Sequence, residues 1–283
     1  MTLKTTSGKA AEQELQIAGR IQQSFLPDTL PQPPGWEIGA HFRPARQVAG
    51  DFYDAFPLVN NRRVGIVIAD VCDKGVGAAL FMALFRTLIR AFAQQHYALS
   101  WADALSGDAP VVARGSKGER SLPSIGTGAL KNAISLTNTY IINNHGETGM
   151  FATIFFGVLD PATGTLAYIN GGHTPPLILG KGEIRAELQP TGPAIGIIPG
   201  VEWKMEQVQL EPGDLFLAYT DGITEARDPK GGFYGEERLK SLARQHTGSA
   251  AELAASVAAD VQLFAAAAEQ SDDITLLTVR RDT

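Results

Sequence analysis

Apolar residues fall along this chain with two different periods, and the change between them divides it. In residues 11–26, AEQELQIAGRIQQSFL, Leu15, Ala18, Ile21 and Phe25 recur at spacings of three and four. That pattern predicts a helix, which Pro27 stops. Four prolines between Pro27 and Gly35 predict a connector. From Trp36 onward the texture changes to short β-rich runs bounded by turn residues, at 36–45, 51–56, 62–71, 150–160, 164–171, 175–180, 202–210, 213–221 and finally 272–281. Helical stretches are interleaved at 76–95, 128–144, 235–245 and 249–267. Residues 103–127, rich in Gly, Ser and Pro, predict a flexible insertion between two helices. Antiparallel-looking strands with helices in blocks predict an α+β class, with sheets packed together and covered by helices. The expected organisation is an N-terminal helix and Pro-rich linker over 1–34, then one catalytic-sized domain over 35–283.

Composition removes several function classes. A net charge of −6 argues against a nucleic-acid binder, which would need a basic face. The single cysteine, Cys72, excludes a disulfide within the chain and points to a reducing, cytoplasmic setting. The polar start MTLKTTSGKAAEQ lacks the apolar core of a signal peptide. The longest apolar stretch, 78–93, is interrupted by Arg86 and Arg90, so no membrane span is expected.

Candidate chemistry concentrates in aspartates at predicted strand ends. In VAGDFYDAF (48–56), Asp51 follows Gly50, and Asp54 comes after two aromatic residues. Asp70 ends VGIVIAD, Asp221 ends LFLAYTD just before Gly222, and Asp272 and Asp273 open the last strand. Taken singly, each reads as a turn residue. Gathered at one sheet edge, they would repel one another unless a cation neutralised them, and hard oxygen ligands suit Mg²⁺ and Mn²⁺. A cysteine-type phosphatase needs an Arg six residues after its nucleophile, and six after Cys72 stands Ala78. No Walker-type loop or HExxH motif is present.

Five ordered motifs carry a resemblance: VAGDFYD, IADVCDKGVGAALFMALFRTLIRA, GMFATIFFGVLDPATGTLAYINGGHTPPLIL, GDLFLAYTDGITEARD and DDITLL. Together they resemble the metal-dependent PPM (protein phosphatase 2C-like) serine/threonine phosphatases, most of all the bacterial SpoIIE-type, RsbU-like branch. ELQIAGRIQQSFLP is similar to the helix that precedes that catalytic domain.

The resemblance implies an αββα sandwich of two mainly antiparallel sheets. It also implies a Mn²⁺- or Mg²⁺-dependent phosphatase with two ions, which activate a water and neutralise phosphoryl oxygens without a protein nucleophile. Carried over residue by residue, Asp70 and Asp221 ligate metal with Asp272, and Asp51 holds the second ion directly or through water. The Val71 carbonyl and Asp273 are further candidates, although a plain strand-start role stays open for Asp273. Asp54 is a weaker candidate still. Arg46 lies where many members hold an Arg for the substrate phosphate, with a solvated surface Arg as the alternative. Cys72 replaces the His of eukaryotic relatives, which leaves the proton donor open. Asp73 replaces a common Gly and could tune metal affinity, take a third ion or sit in solvent. His173 is read as structural.

The implied substrate is a phosphoserine or phosphothreonine on an anti-sigma-factor antagonist of STAS type. Activity would be set by an upstream sensor domain or a separate activator, acting through the helices after Asp70 or through helix 11–26, which could also form a homodimer. A catalytically silent phosphoprotein-binding module and a small-molecule phosphohydrolase are the alternatives.

Overall fold

The computed structural model describes residues 3–59, 61–106 and 125–283. It contains two five-stranded sheets in which all paired strands run antiparallel. The first sheet has the order β1 (Trp36–Arg43), β10 (Ile274–Arg281), β9 (Leu215–Tyr219), β6 (Leu177–Gly180) and β7 (Glu183–Glu187). The second has the order β2 (Phe52–Leu58), β3 (Arg63–Val71), β4 (Ala152–Asp160), β5 (Thr165–Gly171) and β8 (Glu206–Gln209).

Three apolar layers hold the sandwich together. Ile66, Ile68, Phe155, Phe216, Leu277 and Val279 fill the space between the sheets. Helices α2 (Val76–Ser106) and α3 (Ile125–His145) cover the second sheet, burying Met82, Phe85, Ile89, Leu130 and Ile134. Helices α5 (Glu236–Gln245) and α6 (Ala250–Ala265) cover the first, burying Leu239, Leu253 and Val257 against Leu217 and Leu276. The αββα expectation therefore holds. Because β3 is covered on both faces, its residues read as one apolar run rather than an alternation. Even-numbered Val64, Ile66 and Ile68 face the other sheet, and odd-numbered Val67, Ala69 and Val71 face the helices.

Several boundaries differ from the sequence pattern, each for a local reason. The N-terminal helix α1 runs Leu3–Gln23: it starts in a polar stretch without apolar period and ends before Phe25. Helix α2 continues well past residue 95, and most of the predicted insertion 103–127 lies outside the described residues. Strand β7 was not anticipated, because EIRAE is a polar edge strand. It pairs with β6 across Lys181 and Gly182, both at positive φ (54° and 79°), which is the two-residue hairpin turn usually signalled by Asn-Gly.

Residues Val76–Gln95 of α2 are long and apolar enough, by composition, to cross a bilayer. Here that segment lies on the second sheet, with Arg86 and Arg90 both paired to Asp54 at 3.2 Å.

Candidate metal centre

Strand periodicity decides which aspartates can meet. Asp51 stands just before β2 with the parity of the inter-sheet face, and it reaches across the sandwich to the first sheet. Its Oδ2 accepts hydrogen bonds from Thr220 Oγ1 at 2.7 Å and Thr275 Oγ1 at 2.6 Å. Burial, then the charges of Asp70 and Asp273, push its carboxyl well above the ordinary range, against the two hydroxyls.

Asp70, near the end of β3, pairs in register with Thr153 of β4. Burial and the neighbouring Asp221, Asp272 and Asp273 raise its carboxyl to about 7, while a hydrogen bond with Asp51 works the other way. Asp221 opens the single turn α4 (Asp221–Thr224), one residue beyond the end of Thr220's extended segment rather than on a strand. Its carboxyl is also raised, by burial and then by Asp272 and Glu225, with the Gly222 amide and Lys74 opposing. Gly222 has no room for a side chain: a Cβ there would stand 1.9 Å from the Asp273 carbonyl oxygen. Asp272 accepts from the Asp273 amide at 3.0 Å and forms an ion pair with Lys74 Nζ at 2.7 Å. Lys74 also donates to the Ser271 carbonyl at 2.8 Å.

Asp273 belongs to the same cluster but is occupied differently. Its Oδ1 accepts from the Ala45 amide at 2.7 Å and its Oδ2 from the Gly50 amide at 2.8 Å. Both of its oxygens therefore anchor the loop that carries Arg46 and Asp51. Arg46 is exposed on that loop and forms no ion pair among the described residues. The Val71 carbonyl presses on the same segment, 2.8 Å from where a Gly50 Cβ would stand.

Asp54 is not part of the cluster. Three residues from Asp51, it points to the opposite face of β2 and meets Arg86 and Arg90 of α2. Asp73 is exposed with φ 69°, and its Oδ1 accepts from the Lys74 amide at 2.8 Å. A left-handed backbone explains why Gly suits this position, and why Asp, which bonds locally, is tolerated there. Cys72 Sγ accepts from the Phe151 amide at 3.2 Å, and burial pushes its thiol up, away from a reactive thiolate.

Sequence reasoning missed Thr220, Thr275, Lys74 and Glu225. Glu225 had a legible signal, four residues after Asp221 in DGITE. The threonines had none, because their role depends on two sheets meeting.

His173 is a buried support for the site. Its Nδ1 lies 2.9 Å from Thr153 Oγ1, and its buried Nε2 finds no hydrogen-bond partner among the described residues. Burial lowers its pKa from 6.5 to about 4. The unfolded chain therefore takes up the proton first. This contribution to stability is complete above pH 6.5 and is lost as pH falls through about 4. At about 1.4 kcal/mol per pH unit the whole effect is on the order of 3 kcal/mol. The raised carboxyls of Asp70 and Asp51 contribute the opposite slope in the same range, so the effect is read as a difference: in denaturant titrations between pH 4 and 7, wild type should lose stability relative to His173→Gln as pH falls. Equal slopes in both proteins would exclude His173 as its source.

The donor set fits hard divalent cations. Four carboxylates, Asp51, Asp70, Asp221 and Asp272, converge, and Lys74 supplies only one positive charge against them. Among the described residues, no three acidic, His or Cys side chains close into a cage as they stand. Burial raises the carboxyls of Asp51, Asp70 and Asp221, and the charges of the neighbouring acids raise them further, a repulsion that a cation would relieve.

The family model of Stage II sporulation protein E (SpoIIE) matches residues 60–282. Protein IcfG of Synechocystis sp. is 40% identical over 275 residues, which are 95% of this chain and 42% of that protein. The chain thus spans less than half the length of that relative. Phosphoserine phosphatase RsbU of Bacillus subtilis is 27% identical over 269 residues, covering 95% of this chain and 70% of RsbU. Among solved structures, the SiaA-PP2C domain of Pseudomonas aeruginosa superposes with a TM-score of 0.72 at 22% identity, covering 98% of this chain and 99% of that one. The catalytic domain of the serine/threonine protein phosphatase PstP, in complex with two manganese ions, superposes with a TM-score of 0.57 at 14% identity, covering 88% and 99%. At these identities the solved structures show a shared fold.

Proposed function

Because the chain belongs to the SpoIIE family and has the fold of PP2C-type phosphatase domains, we propose that it is a metal-dependent protein serine/threonine phosphatase. The observation that carries this reading is the convergence of Asp51, Asp70, Asp221 and Asp272 from both sheets onto one edge. Mn²⁺ or Mg²⁺, two ions in all, would supply Lewis acidity and a water nucleophile at neutral pH.

The chain's own residues do the rest. Asp70, Asp221 and Asp272 provide carboxylate oxygens, with the Val71 carbonyl beside them. Asp51 is aimed by Thr220 and Thr275. Asp273 holds the loop on which Arg46 is free to take the substrate phosphate through its planar fork. The raised thiol of Cys72 disfavours it as a nucleophile, and leaving-group protonation is assigned to water.

The side chain of Asp272 is 32% exposed, which supports a phosphate presented on a protein surface over one enclosed in a pocket. The substrate class in this reading is a phosphoserine or phosphothreonine on a STAS-type anti-sigma-factor antagonist; the name of RsbU, a phosphoserine phosphatase, supports the phosphoserine part of it. Regulation would act through α2 and α3, or through α1, whose exposed Ile17 and Ile21 also offer a dimer contact. A cytoplasmic location belongs to the same proposal.

The test is hydrolysis of p-nitrophenyl phosphate with Mn²⁺ and with chelator. Turnover that requires Mn²⁺ supports the reading. Mn²⁺ binding without turnover, in the presence of a phosphoserine peptide as well, would favour the silent binding module instead.

A further inference from the structure

The loop of residues 44–50 carries Arg46 and leads into Asp51, and the Asp273 carboxylate fastens it at Ala45 and Gly50. A second fastener comes from outside the sandwich. Gln22, in the last turn of α1, makes a two-way bond with the Ala49 backbone: Nε2 donates to the Ala49 carbonyl at 2.7 Å, and Oε1 accepts from the Ala49 amide at 2.8 Å. The side chain is 7% exposed, unusual burial for a glutamine on a terminal helix. One turn earlier, Gly19 lies directly on the loop, where a Cβ would stand 2.2 Å from the Gln47 carbonyl oxygen. The helix is therefore seated on the loop at two places, directly at Gln47 through Gly19 and at Ala49, two residues from Asp51, through the Gln22 side chain.

Fixing a long glutamine side chain costs rotamer entropy that one hydrogen bond barely offsets. Two bonds to one residue also fix the direction of the peptide planes on either side of Ala49. The next amide, that of Gly50, is the one Asp273 accepts, and the residue after it is Asp51. A rotation of the Ala49 peptide would be felt at the Asp51 carboxylate.

We infer that Gln22 is a positioning residue of the metal centre. It sets the Asp51 loop for ion binding and makes the geometry of that loop depend on how α1 is seated. The inference rests on the proposed metal-dependent function.

Its test is calorimetry of Mn²⁺ binding, with p-nitrophenyl phosphate kinetics in parallel, on wild type, Gln22→Ala and Gln22→Glu. Partners outside a metal's ligand shell typically affect affinity about 10–100-fold, and Gln22→Ala is expected to weaken Mn²⁺ binding by about tenfold. A purely structural role would lower the unfolding midpoint and leave Mn²⁺ affinity alone. Gln22→Glu supplies a second signature. A protonated carboxyl can both donate to the Ala49 carbonyl and accept from its amide, whereas a carboxylate can only accept. Its deficit relative to wild type should shrink as pH falls, while that of Gln22→Ala should not. If Gln22→Ala fails to fold, Gly19→Ala, which pushes on the Gln47 carbonyl with Gln22 intact, carries the same expectation. Unchanged Mn²⁺ affinity in these variants beside a wild type that binds the ion would overturn this inference alone. A wild type that binds no Mn²⁺ would overturn the proposed function with it.

Discussion

Asp70→Asn is expected to abolish most Mn²⁺-dependent turnover and, in the same protein without metal, to raise stability. The two effects have one cause. Asp70 is buried beside Asp221, Asp272 and Asp273, and its carboxyl is held at about 7. A group held so far from its ordinary value is one the fold tolerates rather than uses for stability. Asparagine has nearly the same shape and no charge, so it removes the repulsion along with the ligand. The loss of turnover should exceed the roughly 10–100-fold typical of partners outside the ligand shell. The gain in the chelator-treated protein should be on the order of 1–2 kcal/mol, the usual yield of relieving a strained functional position. Thermal unfolding with chelator and p-nitrophenyl phosphate kinetics with Mn²⁺ measure the two arms. An active variant would remove Asp70 from the ligand set. An inactive variant that is no more stable would mean that repulsion among the acids does not set the energy of the site.

Asp54→Ala should have the opposite profile, a large loss of stability with metal binding retained. The Asp54 side chain is 2% exposed and meets Arg86 and Arg90 at 3.2 Å, and Arg86 is itself only 12% exposed. Burial pushes the Asp54 carboxyl up, and the two guanidiniums oppose that rise. Arg90 also lies 5.0 Å over the Phe56 ring, so the cluster ties α2 to β2 through both charge and packing. Deleting the acid leaves two cations at a sheet–helix interface, and breaking a buried pair in this way typically costs about 3–5 kcal/mol. Adding Arg86→Met and Arg90→Met should recover much of the loss, since replacing a whole buried ion cluster by apolar residues is often neutral. Urea unfolding of the single and triple variants decides it. A single variant within about 0.5 kcal/mol of wild type, the range of ordinary surface substitutions, would show that the pair is solvated and contributes little. If the folded Asp54→Ala protein lost Mn²⁺ binding, the separation of the two faces of β2 would not hold.

These two aspartates mark how far sequence alone reaches. The nine anticipated strands could be read from composition and turn residues, because apolar β-branched runs between Gly, Pro and Asp have few other uses. The helices α2, α3, α5 and α6 could be read from their 3.6-residue period, although their ends could not. Strand β7 was not legible, because a polar edge strand buries too little to leave a pattern. The acid motifs were visible as motifs and carried the family resemblance, which the match over residues 60–282 bears out.

Even the parting of Asp51 and Asp54 was implicit in the sequence, since residues three apart on a strand face opposite sides. What the chain determined by itself was therefore local: its element types, the alternation of its faces and the order of its acids. Tertiary structure decided which acids met. Asp51 is aimed by threonines from the other sheet, Lys74 reaches Asp272 and the Ser271 carbonyl, 197 residues away in the case of Ser271, and Asp273 and Gln22 fasten one loop from two directions. Such contacts leave no trace in local periodicity. Their partners are brought together only when two separately buried sheets pack face to face, and the repulsion among the carboxylates exists only once they have.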